Sequence, residues 1–222
     1  MKILVKFPTR ERPTQFMKML SNYIALSEDP ANVHYLITLD SNDPRIHTYK
    51  AMLDEQNYEN VKYVIGFSKG KIHACNRDME HAGEWDIVML ASDDMVPQVQ
   101  GWDTILRLEM LQFHPDTDGV LFHNDGYLGR KLNTMCILGR KYFERFKTIY
   151  NTEYKSLWCD NEFTEVADIL GRQTYFEQCL FKHEHFSTNA AVKADDLMSK
   201  NQTFFYSDKK IYQTRKLKNF DL

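Results

Sequence analysis

Two adjacent carboxylates, Asp93 and Asp94, follow the apolar run Asp86-Ile87-Val88-Met89-Leu90-Ala91, with Ser92 between and Pro97 soon after. A short apolar run bounded by turn residues reads as a buried strand. The pair therefore stands at a strand's carboxyl end, where open α/β sheets bind ligands. Hard oxygen ligands there suit Mg²⁺ or Mn²⁺ carrying a phosphorylated substrate. The same residues equally suit an exposed turn in which either aspartate caps the next segment. Two other strand ends carry polar groups: Pro8-Thr9-Arg10 after residues 3–7, and Asp40 after residues 34–39. In a parallel sheet all three ends meet on one edge. A basic residue there meets phosphate, a carboxylate accepts from a ribose hydroxyl or a base N–H, and acidic ligands hold a bridging metal. Taken singly, Asp40 also suits a turn and Arg10 a solvated loop.

The elements that must position these groups alternate in the first half. Strands are expected at 3–7, 34–39, 61–65 and 86–91, and helices at 14–26, 46–56 and 72–82, with Phe16, Met19, Leu20, Tyr23 and Ile24 at helical spacing in the first helix. That βαβα rhythm predicts a mostly parallel sheet flanked by helices, with right-handed crossovers. It weakens after Pro97. There, 119–122, 134–138 and 173–181 read as strands, 142–146 and 163–170 as helices, and residues from about 195 as a polar tail with a basic end.

At 222 residues, 43% apolar and 27% charged, the chain has the composition of one ordinary α/β domain with a small appendage. A net charge of −3 excludes a wholly polycationic glove for nucleic acid. Cys75, Cys136, Cys159 and Cys179 are scattered without CxxC spacing, which reads as reduced thiols and not as a zinc site or disulfide framework. Residues 1–7 are too short and too lysine-interrupted for a signal segment, and no stretch approaches the ~20 apolar residues that cross a bilayer. The expectation is a soluble, cytoplasmic protein.

In order along the chain, the motifs resemble those of glycosyltransferases of the GT-A fold, in the style of the large family 2 group. Lys6-Phe7-Pro8-Thr9-Arg10-Glu11-Arg12-Pro13 is similar to the family's strand-then-"PTxxRP" opening, and Leu39-Asp40-Ser41-Asn42-Asp43 to its nucleotide-binding aspartate. Lys69-Gly70-Lys71-Ile72-His73-Ala74-Cys75-Asn76-Arg77-Asp78 resembles the "G…AxN" helix start that runs beneath the donor. Leu90-Ala91-Ser92-Asp93-Asp94 resembles the "LDxDD" form of the DxD motif, and Cys159-Asp160-Asn161-Glu162-Phe163 the "EDxDL" segment that carries the base. The chain departs from the pattern at Ala91 and Cys159, where the family has acidic residues. The resemblance covers about residues 1–190. It implies a single catalytic domain with a Rossmann-like sheet, a nucleotide-binding half at 1–97, a smaller acceptor-side half at 98–190, and a C-terminal extension at 191–222.

What the resemblance implies chemically is sugar transfer, with inversion, from a nucleotide-diphosphate sugar, UDP-sugars favoured, to an acceptor hydroxyl. Pro8, Thr9, Arg10, Asp40, Lys71, Asn76 and Asp93 would contact the donor. Asp93, assisted by Asp94 and a late histidine, His185, would hold Mn²⁺ or Mg²⁺, with Asp93 the main ligand. His183 and His185 stand i, i+2, which on a strand points them to opposite faces, so one ion does not take both. Asp160 would be the base that deprotonates the acceptor, with Glu162 as the alternative. Asp160 also suits a helix cap. The loop His123-Asn124-Asp125-Gly126-Tyr127 is a candidate acceptor loop, and Trp102 and Trp158 are candidates for sugar stacking or for core packing. The basic tail fits solvated charge or an anionic surface. The acceptor class, whether glycan, small molecule or modified nucleic acid, and the oligomeric state stay open. A nucleotidyltransferase is the alternative enzyme class, although the loop after the first strand lacks the glycines it wants. A non-catalytic nucleotide-sugar-binding module of the same fold is the other.

Overall fold

The computed structural model describes residues 1–184 and 196–222. Strand β1 (Ile3–Thr9) leads to helix α1 (Pro13–Ala25), which opens on Pro13, a residue pre-set for the first helical position. Strand β2 (Val33–Asp40), helix α2 (Ile46–Gln56) and strand β3 (Val61–Gly66) follow. Helix α3 (Lys71–Asn76) stops well short of residue 82, because Arg77 is extended and Asp78 is left-handed at φ 71°. Strand β4 (Ile87–Leu90) then enters the sheet.

Beyond Pro97 the reading needs more correction. A further strand, β5 (Met95–Pro97), takes the segment expected as a turn; its proline is tolerated in a two-stranded ribbon. Helix α4 (Trp102–Phe113) was not expected at all. It buries Trp102, Leu106 and Met110, while exposed Leu108, Leu111 and Phe113 blur the apolar stripe in the sequence. Strands β6 (Val120–His123) and β7 (Ile137–Gly139) and helices α5 (Arg140–Phe146) and α6 (Cys159–Ile169) come next. The expected last strand is two: β8 (Gln173–Phe176) and β9 (Phe181–His183), in different sheets. The tail folds as helices α7 (Asp196–Gln202) and α8 (Phe205–Leu217).

The central sheet has the order β3-β2-β1-β4-β7-β6-β8. Strands β1 to β4 pair in parallel, and β6 pairs in parallel with β8. Only β7 runs against its neighbours, β4 and β6. Strict alternation sends successive side chains to opposite faces. Ile3, Val5 and Phe7 join the cluster covered by α1, α2 and α4, and Leu4, Leu36 and Val88 the one covered by α3, α5 and α6. The result is the expected α/β architecture with helices on both faces of a mostly parallel sheet. Trp102 is fully buried against Tyr23 and Phe181, which makes it core and not a sugar platform. All four cysteines are free. No helix among the described residues is long and apolar enough to cross a membrane.

Candidate functional site

From β1 the chain steps to β2 on one side, while β4 lies on the other. The strand order therefore reverses between β1 and β4, and a crevice opens beyond their carboxyl ends. The three segments singled out in the sequence all leave the sheet at that edge. Arg10 donates from Nη1 to Asp40 Oδ2 (3.1 Å) and to Asn42 Oδ1 (2.7 Å), and from Nε to Glu11 Oε1 (2.8 Å). On the other side of Asp40, Arg77 Nη2 stands 3.8 Å from Oδ1 while donating to the carbonyls of Leu39 (2.6 Å) and Gly66 (3.2 Å). Asp40 is thus buried between two guanidiniums, and its Oδ1 accepts no hydrogen bond among the described residues. Thr9 Oγ1 shares a hydrogen bond with Tyr49 Oη (2.8 Å), whose oxygen also accepts from the Arg12 amide (2.9 Å). Thr9 fixes the loop that carries Arg10, and Pro8 lies within the strand itself.

The two aspartates of the opening motif face different partners. Arg12 Nη1 donates to Asp93 Oδ1 (2.9 Å), and Gln15 Nε2 to the Asp93 carbonyl (3.1 Å). Asp94 accepts from the Ser92 hydroxyl, and its Oδ2 lies 3.6 Å from His183 Nε2. The β5–β9 ribbon causes this, since it pairs Met95 with His183. Burial pushes the Asp94 carboxyl up, but His183, the Ser92 hydroxyl and Lys71 together outweigh it and hold it below the usual carboxylate range. A guanidinium sits on Asp93, and Asp94 stands beside an imidazole. His185 lies outside the described residues. Among the described residues no group of three or more His, Cys, Asp and Glu gathers closely enough to hold a metal. A carboxylate fits Mn²⁺ or Mg²⁺, which complete their shells with water and substrate phosphates, whereas an imidazole suits a transition ion better than Mg²⁺.

Lys71 opens α3 directly after Gly70, whose φ of 155° and ψ of 179° belong to a region essentially reserved for glycine. Lys71 is exposed, and desolvation by the surrounding protein pulls its ammonium down. That lowering is outweighed by Cys159, Cys75, Asp94 and Asp160, so the ammonium is held above its ordinary value. Asp160 sits in the first turn of α6. Burial raises its carboxyl above the ordinary value, against the opposing pull of Lys71, the Asn161 amide and His183. Of these groups, Asp94 and His183 stand in direct contact, at 3.6 Å. The N-cap of α6 is Trp158, so Asp160 is not the cap that its residue type also suited.

Two expected site residues are committed to the fold instead. Asn76 accepts from the amides of Ile149 (2.9 Å) and Tyr150 (3.1 Å) and donates to the Tyr150 carbonyl (2.7 Å). These three hydrogen bonds pin the 149–150 turn. Glu162 is buried, and its Oε2 accepts from Tyr154 Oη (2.8 Å) and Arg215 Nε (2.8 Å). It joins α6 to α8. Sequence reasoning gave no role to Arg12 and Arg77, which lie within the quoted motifs, and preferred His185 to His183. It also passed over Lys6, fully buried in β1, which donates to Thr38 Oγ1. Thr38 donates in turn to Asp78 Oδ2 (2.7 Å), and Arg77 donates to Asp78 Oδ1 (2.9 Å). A buried polar chain thus runs from the sheet centre to Asp40. In the acceptor-side loop, Asp125 accepts from the amides of Tyr127 (2.9 Å) and Leu128 (2.7 Å), which fixes the turn that displays Tyr127.

No family model matches the chain, and no curated protein matches it. Solved structures do. One is the mannosyltransferase PcManGT from Pyrobaculum calidifontis, in complex with GDP-Man and Mn²⁺: 16% identity, TM-score 0.66, covering 82% of this chain and 56% of that one. TarS from S. aureus matches at 15% identity and TM-score 0.64, over 83% of this chain and 37% of that one. Residues 1–349 of TarS in complex with UDP-GlcNAc match at 16% identity and TM-score 0.64, over 90% of this chain and 61% of that one. The chain thus spans less than two thirds of each of these structures. At such identities the likeness establishes the fold, which is GT-A-like.

Proposed function

We propose that the chain is a glycosyltransferase that moves a sugar, with inversion, from a nucleotide-diphosphate sugar to an acceptor hydroxyl, with Mn²⁺ or Mg²⁺. The observation that carries this reading is the convergence of Arg10, Asp40 and Arg77 with Asp94 and His183 on one sheet edge at the switch point. Solved structures of this fold hold GDP-Man with Mn²⁺ and UDP-GlcNAc, which supports a nucleotide-sugar donor. Residues 1–97 are read as the donor-binding half and 98–190 as the acceptor-side half.

In this reading Asp40 Oδ1, which lacks a hydrogen bond, accepts from the nucleoside, and Arg10 and Arg77 fix the carboxylate. Asp94 and His183 would hold the cation. When bound, it acts as a Lewis acid on the diphosphate and stabilises the charge that develops there. Lys71 faces the same developing charge. Asp160 takes the proton from the acceptor hydroxyl as that oxygen bonds to the anomeric carbon and the bond to the diphosphate breaks. Its raised pKa makes it a better proton acceptor than an ordinary aspartate, with Lys71 pulling the other way.

The test is a screen of UDP-GlcNAc, other UDP-sugars and GDP-mannose, with and without Mn²⁺, reading thermal stabilisation and donor hydrolysis together. Metal-dependent stabilisation with slow hydrolysis supports the proposal. Stabilisation without hydrolysis or transfer indicates a binding module, and no response to any nucleotide sugar overturns both.

A further inference from the structure

Trp158, two residues before Asp160, has φ 63° and ψ −7°. Bulky residues rarely adopt this left-handed conformation, and such strain persists where the surroundings over-determine it. Helix α8 supplies that constraint. Phe205 and Tyr212 hold their ring centroids 5.5 and 5.2 Å from that of Trp158, and Lys209 Nζ lies 5.5 Å from the same ring. One turn into α8, the fully buried Asp208 accepts from three consecutive amides: Lys155 (3.2 Å), Ser156 (2.8 Å) and Leu157 (2.9 Å).

The connector held in this way, residues 155–158, touches both halves of the proposed chemistry. Its Lys155 carbonyl accepts from the Ile72 amide (3.4 Å), next to Lys71, and stands 3.5 Å from where a Cβ on Gly70 would lie. Its far end is the N-cap of α6, which carries Asp160. Arg215 to Glu162 and Lys216 to Glu165 bind the rest of α8 to α6.

We infer that Asp208 and the α8 packing around Trp158 are positioning elements, which hold connector 155–158 in the one conformation that sets Lys71 and Asp160 against each other. This rests on the reading of Lys71 as a phosphate-facing cation and Asp160 as the base. Neither Asp208 nor Tyr212 touches donor or acceptor; they act through the connector. Misplacing a catalytic group by an ångström costs about 10²-fold in rate.

The experiment uses the full chain with Asp208→Asn and, separately, Tyr212→Leu. Hydrogen–deuterium exchange is read over residues 68–73 and 154–163, with β2 and α2 as controls. Both variants should lose about tenfold protection in both segments while the controls hold. Donor hydrolysis, with whichever nucleotide sugar the wild type cleaves, should lose about 10²-fold in kcat with KM within about threefold. A merely structural role lowers Tm and leaves that split flat. Loosening confined to α8, with residues 68–73 and 159–163 protected as in the wild type, overturns the inference, and so does unchanged kcat in both variants. A wild type that cleaves no nucleotide sugar removes the functional reading, and exchange still decides the brace. Should Asp208→Asn fail to fold, Tyr212→Leu carries the same readouts.

Discussion

Lys6→Met should change how stability depends on pH. Lys6 is fully buried in β1, and burial, only partly offset by Asp78, pulls its pKa from 10.5 down to about 8. A displacement of that size is worth about 3 kcal/mol at ~1.4 kcal/mol per unit. The folded pKa lies below the unfolded one, so between pH 8 and 10.5 the unfolded chain binds more protons and wild-type stability rises with pH. Below pH 8 the penalty for burying the ammonium is present in full. Methionine fills similar space without charge and forfeits the hydrogen bond to Thr38, a loss of about 1 kcal/mol. The variant should therefore be about 2 kcal/mol more stable than the wild type at pH 7 and about 1 kcal/mol less stable at pH 10.5. Urea unfolding at half-unit intervals from pH 7 to 10.5 measures the difference, and tyrosine and surface-lysine titrations cancel between the two proteins. Parallel curves, or a variant that is weaker at pH 7, would refute the assignment of a destabilising buried ammonium to Lys6.

Asp160→Asn should leave donor affinity within about twofold and lower transfer or hydrolysis by about 10²–10⁴-fold; full activity moves the base elsewhere. Because burial raises the Asp160 carboxyl and the carboxylate is the active form, the acid limb of the kcat profile should lie above pH 3.8, and a limb at or below that value contradicts the role. Asn76→Ala should cost about 2 kcal/mol of stability, since it strands two backbone amides and a carbonyl, and should leave donor KM unchanged. Lost donor affinity at undiminished stability would return Asn76 to the site.

The centre of the sheet was legible because its strands are buried on both faces and read as nearly continuous apolar runs, as in Leu36-Ile37-Thr38-Leu39 and Ile87-Val88-Met89-Leu90. Their polar termini, Arg10, Asp40 and the Asp93-Asp94 pair, marked the edge for the same reason. Which aspartate faces a histidine was not legible. It depends on Arg12 reaching across from the loop after β1 and on a two-stranded ribbon that brings His183 to Asp94. Asn76 and Glu162 have the residue types of a binding amide and a base, but the hydrogen bonds that occupy them come from residues 74 and 53 positions away. The tail read as solvated because most of α8 is polar. Its burial is confined to Asp208 and Tyr212, with Arg215 reaching back to Glu162.

The most direct test of the site is thermal unfolding of the wild type, Asp94→Asn and Asp93→Asn with UDP-GlcNAc or GDP-mannose, plus or minus Mn²⁺. At a ligand concentration of 100 Kd the wild type should gain about 2.7 kcal/mol, or roughly 5–10 °C in Tm, only when Mn²⁺ is present. Chelation should reverse the gain, Asp94→Asn should abolish it, and Asp93→Asn should retain the larger part of it. A wild type indifferent to every nucleotide sugar with Mn²⁺, or an Asp94→Asn variant stabilised as strongly as the wild type, would contradict the account.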